Sequence, residues 1–268
     1  MTRTTARRTV LRIAVTTALI SVTACTSAAG SAPSTDAARA TDPTTRPLRA
    51  VERATGRAGS ARVESTTVMG GELSLKAAGT LGWRDGLTGT LTITYTGGTT
   101  AETMRRLGTT ALEARYLPDA YYARLGDRFA DRVGGRHWIK YAYADLDALG
   151  SDAGGGFADQ LRETTPHLAV QALLAAEDVR EVGAETTRGR RTTHWTGTVG
   201  GATARTVDIW VDDRDLLVKK VERGRTETGK LTQTAYYSGY GTGAVPKRPP
   251  AADTADFREL LKTRGGGS

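Results

Sequence analysis

Few of the 268 residues are of types that could do chemistry, and they are scattered. The chain has one cysteine, Cys25, and three histidines, His137, His167 and His194. The histidines are far apart and never form the H-E-x-x-H spacing that would set two imidazoles on one helix face around zinc. His137 and His194 each precede a tryptophan on an expected strand, which fits solvent-facing or core-edge residues better than ligands. No G-x-S-x-G elbow presents a serine nucleophile. Gly154-Gly155-Gly156 lacks the Lys-Ser/Thr ending of a phosphate loop and reads as a plain loop. Asp212, Asp213 and Asp215 could suggest a metal, but without the later glutamate of a calcium loop they read as an acidic hairpin turn. No enzyme activity, catalytic residue, metal or cofactor is expected.

The surroundings of Cys25 say more. Arg3, Arg7, Arg8 and Arg12 form a positive stretch with no acid, followed by an apolar run from Ile13 to Val22. That run is half the ~20 residues needed to span a bilayer. A basic flank, a short apolar centre and small residues at its end describe an export signal. Its last residues, Val22-Thr23-Ala24-Cys25, resemble the bacterial lipobox. The resemblance implies diacylglyceryl transfer to the Cys25 sulfur and cleavage before Cys25, leaving a palmitate-type acyl anchor on the outer face of the cell membrane. The competing reading is an ordinary signal peptide with a chance cysteine. A lone thiol cannot form an internal disulfide, so stability must come from a packed core. One acyl chain binds membranes only marginally, at ~0.8 kcal/mol per buried CH₂, and two or three bind firmly. Ala6-Arg7-Arg8-Thr9-Val10-Leu11-Arg12 also looks like a twin-arginine motif, so the export route stays open between that and the general one.

The formal net charge is +8, and the four signal arginines carry half of it away, leaving +4. The other charges are dispersed with both signs mixed, without a basic block, so no nucleic-acid partner is expected. From Thr26 to Thr45 the chain is Ser, Ala, Thr, Pro, Gly and Asp with a single Arg39 and hardly a large apolar residue, too little to offset ordering entropy. It reads as a tether reaching ~25 Å. The expected organisation is a signal at 1–24, a tether at 25–44, one domain at 45–262 and a loose tail at 263–268.

Within the domain, Thr44 or Thr45 can cap a short helix with Pro47 in its first turn, ending at Gly56. The period then changes to two. Over 72–83 the odd positions are Leu73, Leu75, Ala77, Gly79, Leu81 and Trp83; over 87–96 Leu87, Gly89, Leu91, Ile93 and Tyr95 alternate with threonines. Asp85-Gly86 supplies the turn, so the two runs form a hairpin with one apolar face. Further strands are expected at 111–117, 120–125, 137–143, 191–199, 203–211, 216–223 and 231–240. A single helix interrupts the series, capped by Thr165, opened by Pro166 and striped by Leu168, Ala169, Ala172, Leu173 and Ala176. The fold class is mainly β (α+β): a large curved antiparallel sheet with a few covering helices. So much apolar sheet with one helical stripe to cover it calls for closure of the sheet or for a filled hollow.

Several stretches then look familiar. Gly135-Arg136-His137-Trp138-Ile139-Lys140-Tyr141 follows the Tyr121-Tyr122 strand. Asp208-Ile209-Trp210-Val211-Asp212 runs into Leu216-Leu217-Val218-Lys219-Lys220, and Tyr236-Tyr237-Ser238-Gly239-Tyr240-Gly241 leads to Val245-Pro246 and Pro249-Pro250. With the lipobox these resemble the LppX/LprG group of actinobacterial lipoproteins, in the LolA/LolB-like superfamily, over about 48–261. The resemblance implies a half-barrel sheet with helices over its mouth, an apolar cavity for acyl chains, and transport or presentation of lipid without catalysis. The expected cavity wall is Leu73, Leu75, Leu81, Trp83, Leu91, Ile93 and Tyr95. The expected partners are a lipid or acyl-chain ligand and the membrane through lipidated Cys25. The alternative is a non-catalytic envelope sensor or protein-interaction module on the same fold, with a protein partner the sequence does not name.

Overall fold

The computed structural model describes residues 45–150, 165–176, 178–200, 204–226 and 228–265. Cys25, the expected tether and Gly154–Gly156 lie outside them. The elements run α1 (Arg46–Ala58), β1 (Ser60–Met69), β2 (Leu73–Gly82), β3 (Thr88–Gly97), α2 (Gly98–Arg106), β4 (Ala111–Tyr116), β5 (Ala120–Arg124), α3 (Asp127–Ala130), β6 (Trp138–Ala142) and α4 (Tyr143–Gly150). They continue with α5 (Pro166–Leu174), β7 (Arg180–Thr187), β8 (Arg190–Val199), β9 (Arg205–Asp212), β10 (Leu217–Thr226), β11 (Gly229–Ser238), β12 (Thr254–Asp256) and α6 (Phe257–Gly265).

The twelve strands of the described residues join one sheet in the order β12-β6-β5-β4-β3-β2-β1-β11-β10-β9-β8-β7. Two antiparallel meanders, β1–β6 and β7–β11, are sewn together where β1 pairs with β11. Short β12 departs from the antiparallel rule and runs parallel to β6. Among the described residues β12 and β7 are the two edges of the sheet, which is curved and does not close. The expected hairpin forms with Leu75 opposite Tyr95, Ala77 opposite Ile93, Gly79 opposite Leu91 and Leu81 opposite Gly89. Paired residues of an antiparallel ladder share a face, so all these side chains point to one side. The two glycines are spatial necessities. A Cβ on Gly79 would come within 3.0 Å of Leu91 Cδ2, and one on Gly89 within 3.0 Å of Leu81 Cδ2. Each leucine lies across the glycine opposite it.

That inner face carries the main core: Val63, Leu81, Leu91, Leu112, Ala114, Ile139, Ile209, Ala235 and Tyr237 are buried on it. α1 and α5 pack against each other over it, burying Leu48, Val51, Val170 and Leu173. The first helix runs two residues past Gly56 and stops at Gly59, which adopts the left-handed conformation (φ 70°) expected of a C-terminal glycine. At the far end, Tyr116, Tyr121, Tyr141 and Phe257 form a row with ring centroids 4.7–5.4 Å apart. Burial in this row pushes the Tyr141 hydroxyl up to about 12.

The expectation of a single interrupting helix was too spare. α2, α3, α4 and α6 also punctuate the chain, and β1, the edge strand β7 and β12 were not foreseen.

Candidate functional site

The seven residues expected to wall a cavity sit together on the inner face of β2, β3 and the loop between them. Leu81, Trp83 and Leu91 are packed in the core, whereas Leu73, Leu75, Ile93 and Tyr95 are half-buried. Trp83 is also fixed by its ring nitrogen, which donates to the carbonyls of Thr55 and Gly56 at the end of α1, 3.3 and 3.2 Å away. His167 from α5 stacks on this indole at 5.9 Å between centroids.

A pocket of about 710 Å³ opens on the same face, next to this wall and not within it. Its roof is one edge of α5, with Leu168, Ala169, Gln171 and Ala172. The helix starts at Pro166, whose missing N–H costs nothing in a first turn. Its Val170–Leu173 edge is in the core. The pocket floor is the sheet: Met69 on β1, Val199 on β8, Arg205 and Val207 on β9, Lys220 and Glu222 on β10, Leu231 and Gln233 on β11. Ladder pairing ties this floor to the expected wall. Met69 pairs with Leu73 on β2 and with Leu231 on β11. Thr67 likewise bridges Leu75 and Gln233.

The charges on the floor were not foreseen. Lys220 and Glu222 are 4% and 8% exposed, on a face otherwise made of core side chains. Lys220 Nζ donates to Glu222 Oε2 at 3.0 Å, and Arg205 Nη1 lies 2.7 Å from Glu222 Oε1. One carboxylate is therefore held between two cations. A β-bulge brings them there. Leu217 pairs with Val211, but the register then shifts so that Lys219 meets Trp210, Lys220 meets Ile209, and Glu222 lies opposite Val207. Unbroken pairing from Leu217 would have put Val221 opposite Val207 and Glu222 on the outer face, because a one-residue slip reverses every side chain. Gly224 completes the arrangement: a Cβ there would come within 3.0 Å of Arg205 Cγ.

The outer face holds its own polar network. His194 lies 2.8 Å from Glu185 through Nδ1 and 3.0 Å from Asp208 through Nε2, and it stacks on Trp210 at 4.2 Å. The Trp210 ring nitrogen donates to Glu185 at 2.7 Å, and this bond, with that from His194, holds the Glu185 carboxyl below the usual range. His137 contacts Asp253 at 2.7 Å through Nδ1. Each histidine thus serves a different part of the fold. Asp212 accepts from the backbone N–H of Arg214 and of Leu216, at 3.1 and 3.0 Å, and so shapes the acidic turn between β9 and β10. Among the described residues no group of three His, Cys, Asp or Glu is placed to hold a metal ion.

Comparison with known proteins bears on this geometry. No protein-family model matches the chain. A candidate lipoprotein of Streptomyces coelicolor, SCO4650, is 71% identical, covering 99% of this chain and 100% of its own. Among solved structures, LprF from Mycobacterium bovis superposes with a TM-score of 0.50 at 12% identity, over 77% of this chain and 97% of its own. The Mycobacterium tuberculosis lipoprotein LppX gives 0.48 at 15% identity, over 75% and 96%. At such identities the likeness to LprF concerns the fold, and there the resemblance to the LppX/LprG group holds.

Proposed function

The chain belongs to the same family as the Streptomyces coelicolor candidate lipoprotein SCO4650, and on that footing we propose that it is an envelope lipoprotein that holds the acyl part of a lipid against the inner face of its sheet and carries or presents it at the membrane. In this reading residues 1–24 are the export signal, Cys25 is the acylated first residue, and 25–44 tether the domain to the outer face of the membrane. No helix of the described residues is long and apolar enough to cross a bilayer. The work of the domain is binding, with no catalytic step.

The observation that carries this reading is the 710 Å³ pocket between α5 and the sheet, within the range of small-molecule sites. Seven of its twelve lining residues are apolar, from Met69 to Leu231. The half-buried wall of Leu73, Leu75, Ile93 and Tyr95 extends it along the same face. Each methylene buried is worth ~0.8 kcal/mol. A fully seated chain of about 16 carbons thus offers ~12 kcal/mol against an association cost of at least ~4, which leaves at most ~8 kcal/mol, or micromolar binding at the tightest.

The test is mass spectrometry of an organic extract of the purified Cys25→Ser protein, together with uptake of a fluorescent fatty acid by the delipidated protein. Ala172→Trp, in the roof, and Ile93→Trp, in the wall, are each expected to reduce uptake while keeping the melting temperature near the parent's. No uptake by the parent protein, and no lipid in the extract, would overturn the reading in favour of an envelope sensor or protein-interaction module.

A further inference from the structure

The charged floor asks for an explanation that an acyl chain alone does not supply. A buried ion pair is weak evidence for stability, because apolar residues of similar volume usually do as well or better. Here the pair occupies inner-face positions between Ile209, Val207 and Ala235, where an aliphatic side chain would extend the core. The sheet interrupts its own register to put it there, and bulges are found where a side chain has to be re-aimed. The pair also opens on the pocket, since Lys220, Glu222 and Arg205 all line it.

Two cations share one carboxylate, so the floor carries an excess of one positive charge. Among the described residues the Lys220 ammonium has one hydrogen-bond partner, Glu222. An ammonium has three donors and a guanidinium five, so most of the donors on this floor are left over from the internal pair. Gln233, beside Glu222 in the ladder, adds an amide, one N–H of which donates to Thr67 Oγ1 at 3.4 Å. Gln171 in the roof donates its amide to Glu52 at 2.8 Å, and Glu52 is not among the lining residues. The rest of the enclosure is aliphatic. An occupant matched to these walls has an apolar body and a negatively charged head.

We propose that the pocket under α5 receives an amphiphile by its anionic headgroup, a carboxylate or a phosphate, which Lys220 and Arg205 bind while Glu222 holds the two cations in position. This rests on the lipid-binding reading above and narrows it. The acyl body lies against Met69, Val199, Leu231 and the α5 edge, and the neighbouring wall at Leu73 and Leu75 takes its continuation. Glu222 is a positioning residue: it spaces the cations without touching the ligand.

The experiment is competition against a bound fluorescent fatty acid by oleate, a phosphate-headed lysolipid, methyl oleate and oleylamine, on the delipidated full mature chain carrying Cys25→Ser. Oleate or the phosphate lipid is expected to bind at least ~10-fold more tightly than the ester, and oleylamine more weakly than either; which of the two anions leads identifies the head. Arg205→Gln, at the one-third-exposed end of the network, should cut the preference severalfold. Adding Lys220→Met and Glu222→Leu to Arg205→Gln, which clears every charge from the floor, should abolish it. Equal affinity for acid and ester in the parent protein, or a preference that survives both variants, overturns the headgroup assignment and leaves lipid binding standing. Failure of all four competitors, with no uptake of the fluorescent acid, overturns the lipid reading itself.

Discussion

Glu222→Gln provides the sharpest measure of what the buried network costs. The substitution keeps shape and removes one charge. The Lys220 side chain is 5% exposed and its ammonium would lose the one counter-ion it has among the described residues, whereas Arg205 is 35% exposed and can rehydrate. At 3.0 Å and an effective dielectric of 20, the Lys–Glu attraction is of order 5 kcal/mol, and removing one partner of a buried pair costs ~3–5 kcal/mol. With Arg205 relieved by water, the lower end applies, ~3 kcal/mol. For a domain of this size each kcal/mol moves the melting temperature by ~2–4 °C, so a fall of ~6–12 °C is expected. Lys220→Met with Glu222→Leu removes both charges and should return stability to within ~1 kcal/mol of the parent or above it. Urea unfolding of the delipidated protein at pH 7, followed by circular dichroism, gives both numbers and their coupling. A loss below ~1 kcal/mol for Glu222→Gln, or a double variant as weak as the single, would refute the claim that this pair is desolvated.

Three other outcomes follow from the sequence and the structure. Cys25→Ser should release the protein from membranes or leave the precursor uncut, and intact mass should show loss of residues 1–24 with added acyl mass only in the parent; unmodified parent protein in the medium would contradict the anchor. Leu173→Ala, fully buried between α5 and Gly197 of β8, should cost ~2–5 kcal/mol in the same urea assay, and a loss under ~1 kcal/mol would show that α5 is not seated on the sheet. His167 is held below its ordinary pKa by burial against Trp83, with Glu52 opposing. The unfolded chain therefore binds the proton first, and the stabilisation is complete above ~6.5 and lost as pH falls from there towards the folded value. The melting temperature should drop between pH 7.5 and 5.5 in the parent and less in His167→Phe; equal drops would place the titrating group elsewhere.

The sequence disclosed the fold where one side of a strand is uniformly apolar and hid it where the inner face turns polar. In β2 and β3 the inner positions are leucine, isoleucine, alanine, tyrosine and glycine, against Ser74, Lys76, Ala78 and Thr80 in β2 and a row of threonines in β3, and the hairpin and its face are legible at sight. β1 was missed although it is the seam of the whole sheet. Its inner positions are Ala61, Val63, Ser65, Thr67 and Met69, and the two hydroxyls in the middle erase the alternation. α2 was missed because Thr99, Thr100 and Thr103 are weak helix formers and only Ala101 of its nine residues is buried. In β10 the strand was foreseen and its facing was not legible, since nothing in Leu217-Val218-Lys219-Lys220-Val221-Glu222 announces a bulge. Only the pairing with β9 decides which of Val221 and Glu222 points inward. Two of these failures, in β1 and β10, meet in space. Thr67 pairs with Gln233, Gln233 with Glu222, and Glu222 with Val207, so the polar positions that blurred the pattern form one continuous row across β1, β11 and β10, under α5. Local rules give way along the floor of the pocket. A sheet selected only to pack would have kept its alternation there, and the departure from it is what a site for a polar headgroup requires.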